Sequence, residues 1–284
     1  MQASLKHILQ WMKIYHPLHA TYRKFLDGQA KRRYQKDYHS FRGSGFECNV
    51  CGALYSRFVP WFPSEENKTA LSKNKVVAGY GENMICPDCL STARERLLIA
   101  LLKDRYPAEG KRVLHFAPEK NLYNFLKDKS TVLTCDINPR MYRSVDPAVQ
   151  YQDITQLGFK DESFDWVIGN HIMEHIPDDR LAMQEIFRIL VPGGRAILQV
   201  PYSISNTSTV ETPDIKDTVR QSELYGQNDH VRIYTLDDYK KRLECAGFQV
   251  TITNSEALAS YRKFAIQRDE CFLEIIKPFS PLKT

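Results

Sequence analysis

The chain has 284 residues, 43% of them hydrophobic and 26% charged, a composition that excludes wholesale disorder. Its longest uninterrupted apolar run, Leu97 to Leu102, is far short of the ~20 residues that cross a bilayer. The net charge of +5 is uneven: residues 1–45 hold nine Lys/Arg against Asp27 and Asp37, so the remainder carries −2.

The basic character therefore belongs to residues 1–45. Within it, Leu5, Ile8, Leu9 and Met12 recur at helical spacing. Such a stripe packs on the body of the protein, or rests on a membrane or partner with Arg32 and Arg33 adding attraction to anionic groups. The start of the chain has no apolar core followed by a small-residue cleavage site, so the expectation is a cytoplasmic protein. Peripheral membrane contact through residues 1–45 is one use of the charge.

Residues 46–91 are rich in Gly, Pro, Asn and aromatic residues and begin and end with Cys-x-x-Cys pairs, Cys48/Cys51 and Cys86/Cys89. Each pair is a tight turn that aims two thiolates at one point. Two such turns supply the four sulfurs of a closed, structural Zn²⁺ site. Gly52, directly after one pair, suits the left-handed turn of such a knuckle. The intervening Tyr55, Phe58, Trp61 and Phe62 are expected to cover a module too small to build its own core.

From Thr92 to Tyr106 the pattern is helical. Short apolar runs then alternate with helical stretches: strands at 113–116, 132–135, 149–152 and 164–168, helices at 120–127 and 178–190. A turn at Pro192–Gly194 precedes a strand at 196–200. Strands alternating with helices predict a parallel sheet covered on both faces. Residues 202–230 break the rhythm as a lid-like insertion. Thr235 and Asp238 open a helix ending at Gly247, and antiparallel strands at 248–253 and 271–276 close the sheet edge.

Where a first strand turns into a helix, ligands sit beyond the strand's carboxyl end. Here that strand ends in His115-Phe116-Ala117-Pro118-Glu119. Asp136 ends the next strand, 21 residues beyond His115, the spacing of an acid that binds ribose hydroxyls. Asp153-Ile154 closes the third, where a carboxylate can accept from an adenine amino group while the apolar neighbour packs on the ring. His171-Ile172-Met173-Glu174-His175 matches a zinc-protease pattern in letters, but such a site needs a continuous helix. Pro177 and the preceding strand leave room only for a short turn.

The ordered set of Asp136, Asp153, Phe164-Asp165, Glu174-His175 and Pro192-Gly193-Gly194 resembles the class I S-adenosylmethionine-dependent methyltransferases. Within them it is closest to the branch in which FDxVI…EHI is followed by PGG. Residues 111–201 carry the likeness, with support from Asp229-His230-Val231-Arg232-Ile233-Tyr234. The resemblance implies an α/β fold, a Rossmann-like doubly wound sheet of seven strands, beside the small N-terminal zinc-ribbon module. It also implies S-adenosylmethionine held by His115, Phe116, Ala117, Glu119, Asp136, Ile137, Asp153, Ile154, Asn170 and His171. The family's glycine-rich first turn is replaced by His115–Glu119, with Ala117 leaving room and Glu119 taking over the cofactor's amino group.

The expected organisation is a basic helical segment at 1–45, a zinc module at 46–91 and a methyltransferase domain at 92–284. A hydroxyl acceptor needs a base, and His230 and His175 are the candidates. The main domain has no basic stripe, which favours a small-molecule or glycan-type acceptor. Two further readings are an RNA methyltransferase gripping nucleic acid with its basic N-terminus, and a noncatalytic binding or scaffold protein. No motif predicts an oligomeric state.

Overall fold

The computed structural model describes residues 15–212 and 215–279. The apolar stripe at Leu5, Ile8, Leu9 and Met12 lies outside the described residues. The chain opens on helix α1 (Tyr15–Asp37), followed by β1 (Arg42–Glu47), β2 (Leu54–Tyr55), β3 (Val59–Trp61), α2 (Glu65–Lys73), β4 (Val76–Val77) and β5 (Gly81–Ile85). Helix α3 (Ala93–Asp104) starts at a capping box. Thr92 accepts from the Glu95 amide while the Glu95 carboxylate accepts from the Thr92 amide, satisfying two of the N–H groups a helix start leaves unpaired.

Alternation then sets in: β6 (Arg112–Phe116), α4 (Lys120–Lys127), β7 (Thr131–Asp136), β8 (Gln150–Tyr151), β9 (Phe164–Ile168), α5 (Asp179–Ile189) and β10 (Leu190–Ile197). The insertion folds into β11 (Tyr202–Ser203), β12 (Val210–Glu211) and α6 (Thr218–Tyr225). The chain closes with β13 (Arg232–Thr235), α7 (Leu236–Cys245), β14 (Gln249–Thr253) and β15 (Phe272–Ile276).

Seven strands form one sheet in the order β14-β15-β10-β9-β6-β7-β8. Neighbours from β10 to β8 pair in parallel, and β15 runs antiparallel between β10 and β14. The sheet is thus Rossmann-like and doubly wound, with its order reversing between β6 and β9. Apolar residues cover both faces: Val167, Ile186 and Leu198 on one side, Leu98, Leu101 and Leu126 on the other, all buried. A crevice at the reversal is where such sheets bind ligands.

Two expectations are revised. Pro192-Gly193-Gly194 is no turn before a strand but lies within β10, as a bulge at which the β9 pairing slips between Leu190 and Arg195. Gly193 sits at φ +78°, and the bulge is pinned by hydrogen bonds from Gly193 N to Lys277 O and from Lys277 N to Gly194 O. The expected continuation to Val200 survives as parallel-type bonds from Gly169 N to Ile197 O and His171 N to Gln199 O. The aromatic residues of the Cys-bearing segment also divide: Tyr55 and Phe58 are buried, whereas Trp61 and Phe62 are exposed.

A second sheet, ordered β12-β13-β11-β4, joins the insertion to the N-terminal segment. Here β11 pairs with β4 on one side and with β13 on the other, so residues 202–230 are anchored to both regions.

Candidate functional site

The four cysteines of the two pairs meet. Cys48 Sγ lies 3.6 Å from Cys89 Sγ, and Cys51 Sγ lies 3.8 Å from Cys86 Sγ; all four sulfurs fall within 4.8 Å of one another. Sulfurs at about 2.3 Å from a tetrahedral zinc are about 3.8 Å apart, so this donor set fits the ion. Hydrogen bonds from Cys51, Cys86 and Cys89 hold the Cys48 thiol on the thiolate side of its ordinary range. Beside them Arg96 is fully buried and donates to the carbonyls of Asn83, Met84, Ser91, Phe264 and Ala265.

At the end of β6 the chain turns at Ala117, which takes φ +44°, a left-handed backbone that glycine adopts most easily. The backbone shape of a glycine turn is thus kept without glycine. Glu119 projects from this turn into a polar cluster. His115 Nε2 is 3.0 Å away, Asn170 Nδ2 donates at 3.1 Å, and Arg94 Nε stands at 3.6 Å. Burial pushes the Glu119 carboxyl up, but His115, Arg94 and Asn170 outweigh it and hold the group below its ordinary value. His115 Nδ1 and Asn170 Oδ1 are buried without a protein partner, which leaves polar capacity for a ligand on either side of Glu119. Phe116 is buried beneath the turn.

Along the same edge, Asp136 ends β7 half-buried, and its Oδ1 accepts from the Asn138 amide at 2.6 Å. Burial raises its carboxyl. Ile137 beside it is 63% exposed, an apolar surface at the carboxyl end of the sheet. Asp153 Oδ1 accepts from the Thr155 amide and hydroxyl, which lowers its carboxyl, and Ile154 is buried. The residues read from the sequence as cofactor ligands thus line the ends of consecutive parallel strands.

The third cluster sits on the turn after β9. Met173–His175 is a single 3₁₀ turn, not a long helix. His171 (φ +51°) leads into it. Glu174 is 1% exposed in its side chain; His171 Nδ1 lies 3.5 Å from its Oε1, yet neither carboxylate oxygen has a hydrogen-bond partner. Burial pushes this carboxyl up to about 7.

His175 Nδ1 faces Asp229, 3.4 Å from Oδ2 and 3.3 Å from the carbonyl. Burial opposes its charge, but Asp229 and Glu174 prevail and raise its pKa. The His230 ring packs edge-on against His175 at 4.6 Å, and burial, with the His175 charge, pushes it down to about 3. The two predicted bases are therefore neighbours. With Glu174 and His171 they line a cavity of about 210 Å³ walled by Trp61, Tyr80, Arg94 and Gln227. Arg94 touches both clusters, so the cavity adjoins the Glu119 turn.

Sequence reasoning marked the run Asp229–Tyr234 but missed that it holds this turn. Val231 N bonds Glu174 O, and the Arg232 guanidinium donates to the carbonyls of Met173, Ile176 and Pro177. Tyr234 hydroxyl donates to Asp179 at 2.7 Å. The run Asp229–Tyr234 was thus a legible signal: its residues grip the Met173–Pro177 turn.

A family model described as a methyltransferase domain matches residues 118–198, beginning within the glycine-free turn. A curated demethylmenaquinone methyltransferase from Streptomyces griseus subsp. griseus is 28% identical over 119 residues, 39% of this chain and 52% of that protein. The chain spans about half the length of this curated relative. Among solved structures, a putative methyltransferase from Bacillus halodurans C-125 is similar at 19% identity, covering 63% of this chain and 98% of that one, with a TM-score of 0.42. Phosphoethanolamine N-methyltransferase 2 of Haemonchus contortus, in complex with S-adenosyl-L-methionine, is similar at 18% identity over 65% of this chain and 52% of that one, with a TM-score of 0.43. The segment that matches a methyltransferase domain, residues 118–198, lies within the seven-stranded sheet with its one antiparallel member.

Proposed function

We propose that the chain transfers a methyl group to an oxygen of a small-molecule or glycan-type acceptor. The observation that supports this most is the cavity in which Glu174, His175 and His230 meet beside the Glu119 turn. When bound, S-adenosylmethionine supplies an activated, sulfonium-bound methyl group, so the protein's task is mainly to align donor and acceptor. Glu119 offers a buried anion for the cofactor's amino group, Asp136 a carboxylate for its ribose and Asp153 an acceptor for its adenine. Ile137 and Ile154 give apolar contact.

The Trp61 and Tyr80 rings, 5.4 Å apart and edge to face, offer the acceptor an aromatic wall in the cavity lined by the polar cluster. A surface apolar on one side and polar on the other suits a sugar-like ring. The acceptor hydroxyl is held at the histidine–carboxylate cluster, where it loses its proton. A structural Zn²⁺ on Cys48, Cys51, Cys86 and Cys89 holds the segment that contributes Trp61 and Tyr80 in place.

Calorimetry with S-adenosylhomocysteine on the full chain tests the first half of this reading. Saturable binding in the micromolar range that is lost in Asp136→Ala is expected; no detectable binding to the intact chain sinks it. Transfer of label from S-adenosylmethionine to an alkali-stable ether on a carbohydrate acceptor tests the second half, whereas label recovered on carbon, nitrogen or RNA overturns it.

A further inference from the structure

Glu174, His175 and His230 offer one carboxylate oxygen and two imidazole nitrogens, all within 4.8 Å of one another. We propose that these three residues hold a divalent cation whose open positions face the cavity and receive the acceptor's oxygen atoms. The role in acceptor binding rests on the methyl-transfer reading above; the cation site itself does not.

Three features of the site carry this. First, the Glu174 side chain is 1% exposed and both of its oxygens lack a hydrogen-bond partner, although a buried carboxylate is costly unless paired or bound to metal. Second, His175 has one ring nitrogen already committed. Its Nδ1 faces the Asp229 carboxylate and carbonyl, and the His230 ring packs edge-on against it at 4.6 Å. Metal-binding histidines are fixed in this way, the other N–H going to a carboxylate or a backbone carbonyl. With Nδ1–H donating to Asp229, Nε2 of His175 is left as the acceptor nitrogen that a cation can take.

Third, a cavity of about 210 Å³ opens on the group, giving room for further oxygen ligands. Ligands at about 2.1 Å from one ion lie about 3.0–3.5 Å apart, so the spacing closes by side-chain rotations of about an ångström. Two imidazoles and one carboxylate with vacant positions suit a first-row divalent ion such as Mn²⁺, Fe²⁺ or Zn²⁺. A hydroxyl bound there loses its proton to water more readily than a free one, because the cation stabilises the oxyanion. Arg94 adds positive charge to the cavity wall but is no ligand.

The test uses Mn²⁺ on the full-length chain prepared with zinc present, because hard Mn²⁺ does not compete for thiolate sulfur. Metal content after gel filtration and the spin-resonance signal of bound Mn²⁺ are compared with those of Glu174→Gln. The expected result is one more equivalent of bound divalent metal, manganese or residual zinc, in the unmodified chain than in the variant. Asp229→Asn should weaken Mn²⁺ binding by about 10- to 100-fold without shifting the melting temperature. His230→Ala serves as the ligand variant should Glu174→Gln fail to fold. Equal metal content in the parent and a folded ligand variant overturns the proposal. S-adenosylhomocysteine binding, measured in parallel, separates the two claims: binding without the extra metal sinks only the cation site, and extra metal without binding sinks only the methyl-transfer reading.

Discussion

Ala117 occupies a backbone conformation that costs a residue with a Cβ roughly 1–2 kcal/mol. Ala117→Gly removes that strain but adds freedom to the unfolded chain. Its stability in urea is expected to stay within about 1 kcal/mol of the parent, with unchanged S-adenosylhomocysteine affinity. Ala117→Val puts a β-branched side chain at φ +44° and should lower both. Glu270 provides a pH test. Burial pushes its carboxyl up to about 7, with Arg94 opposing, while the unfolded chain titrates near its ordinary value of about 4.3. The folded state therefore binds more protons between the two values, and the stability this group contributes falls as pH rises through that window. Glu270→Gln should melt several degrees above the parent at pH 8 and level with it at pH 4. An equal shift at both pH values contradicts the assignment.

At this scale the sequence was legible where spacing encodes geometry. Two Cys-x-x-Cys turns need no more than their periodicity to converge, and Asp136 needs no more than its place at a strand end. Arg94 was illegible because it reaches Glu119 and the cavity from a helix start whose local pattern encodes only a cap. Glu174 was noticed as a letter in a motif, but its isolation from hydrogen-bond donors is a property of the packed interior.

The short Met173–His175 turn is too brief to hold itself, having one turn of poor hydrogen bonds. It is held from outside by Arg232, which also pairs with Glu211 at 3.0 Å, while Arg242 binds Glu211 and Asp179 at 2.8 and 2.9 Å. Removing one partner from such a buried network costs about 3–5 kcal/mol. Arg232→Met should thus destabilise the chain by about that amount, read by urea denaturation. A loss below about 1 kcal/mol would mean that the turn stands by itself. The Pro-Gly-Gly segment teaches a related point: its turn-forming residues make a bulge, because the paired backbone of β9 and the chain beyond β15 supply hydrogen bonds that sequence alone does not display.

In the molecule as a whole, the N-terminal segment is no appendage to the sheet. Its β4 completes the second sheet, its Trp61 and Tyr80 wall the cavity, and Arg96 joins its loops to Phe264 and Ala265, ahead of β15. None of these long-range unions has a local signature, whereas the seven alternating strands did. Arg96→Ala strands five carbonyls in a dry interior and should cost about 3–5 kcal/mol, with the loss measured by thermal melting.

The same guanidinium gives the four sulfurs a reach beyond their own knuckle. Ser91 touches the sulfurs of Cys48 and Cys89 and accepts from Arg96, whose other bonds run to Phe264 and Ala265, so a defect at the sulfurs would be felt at the approach to β15.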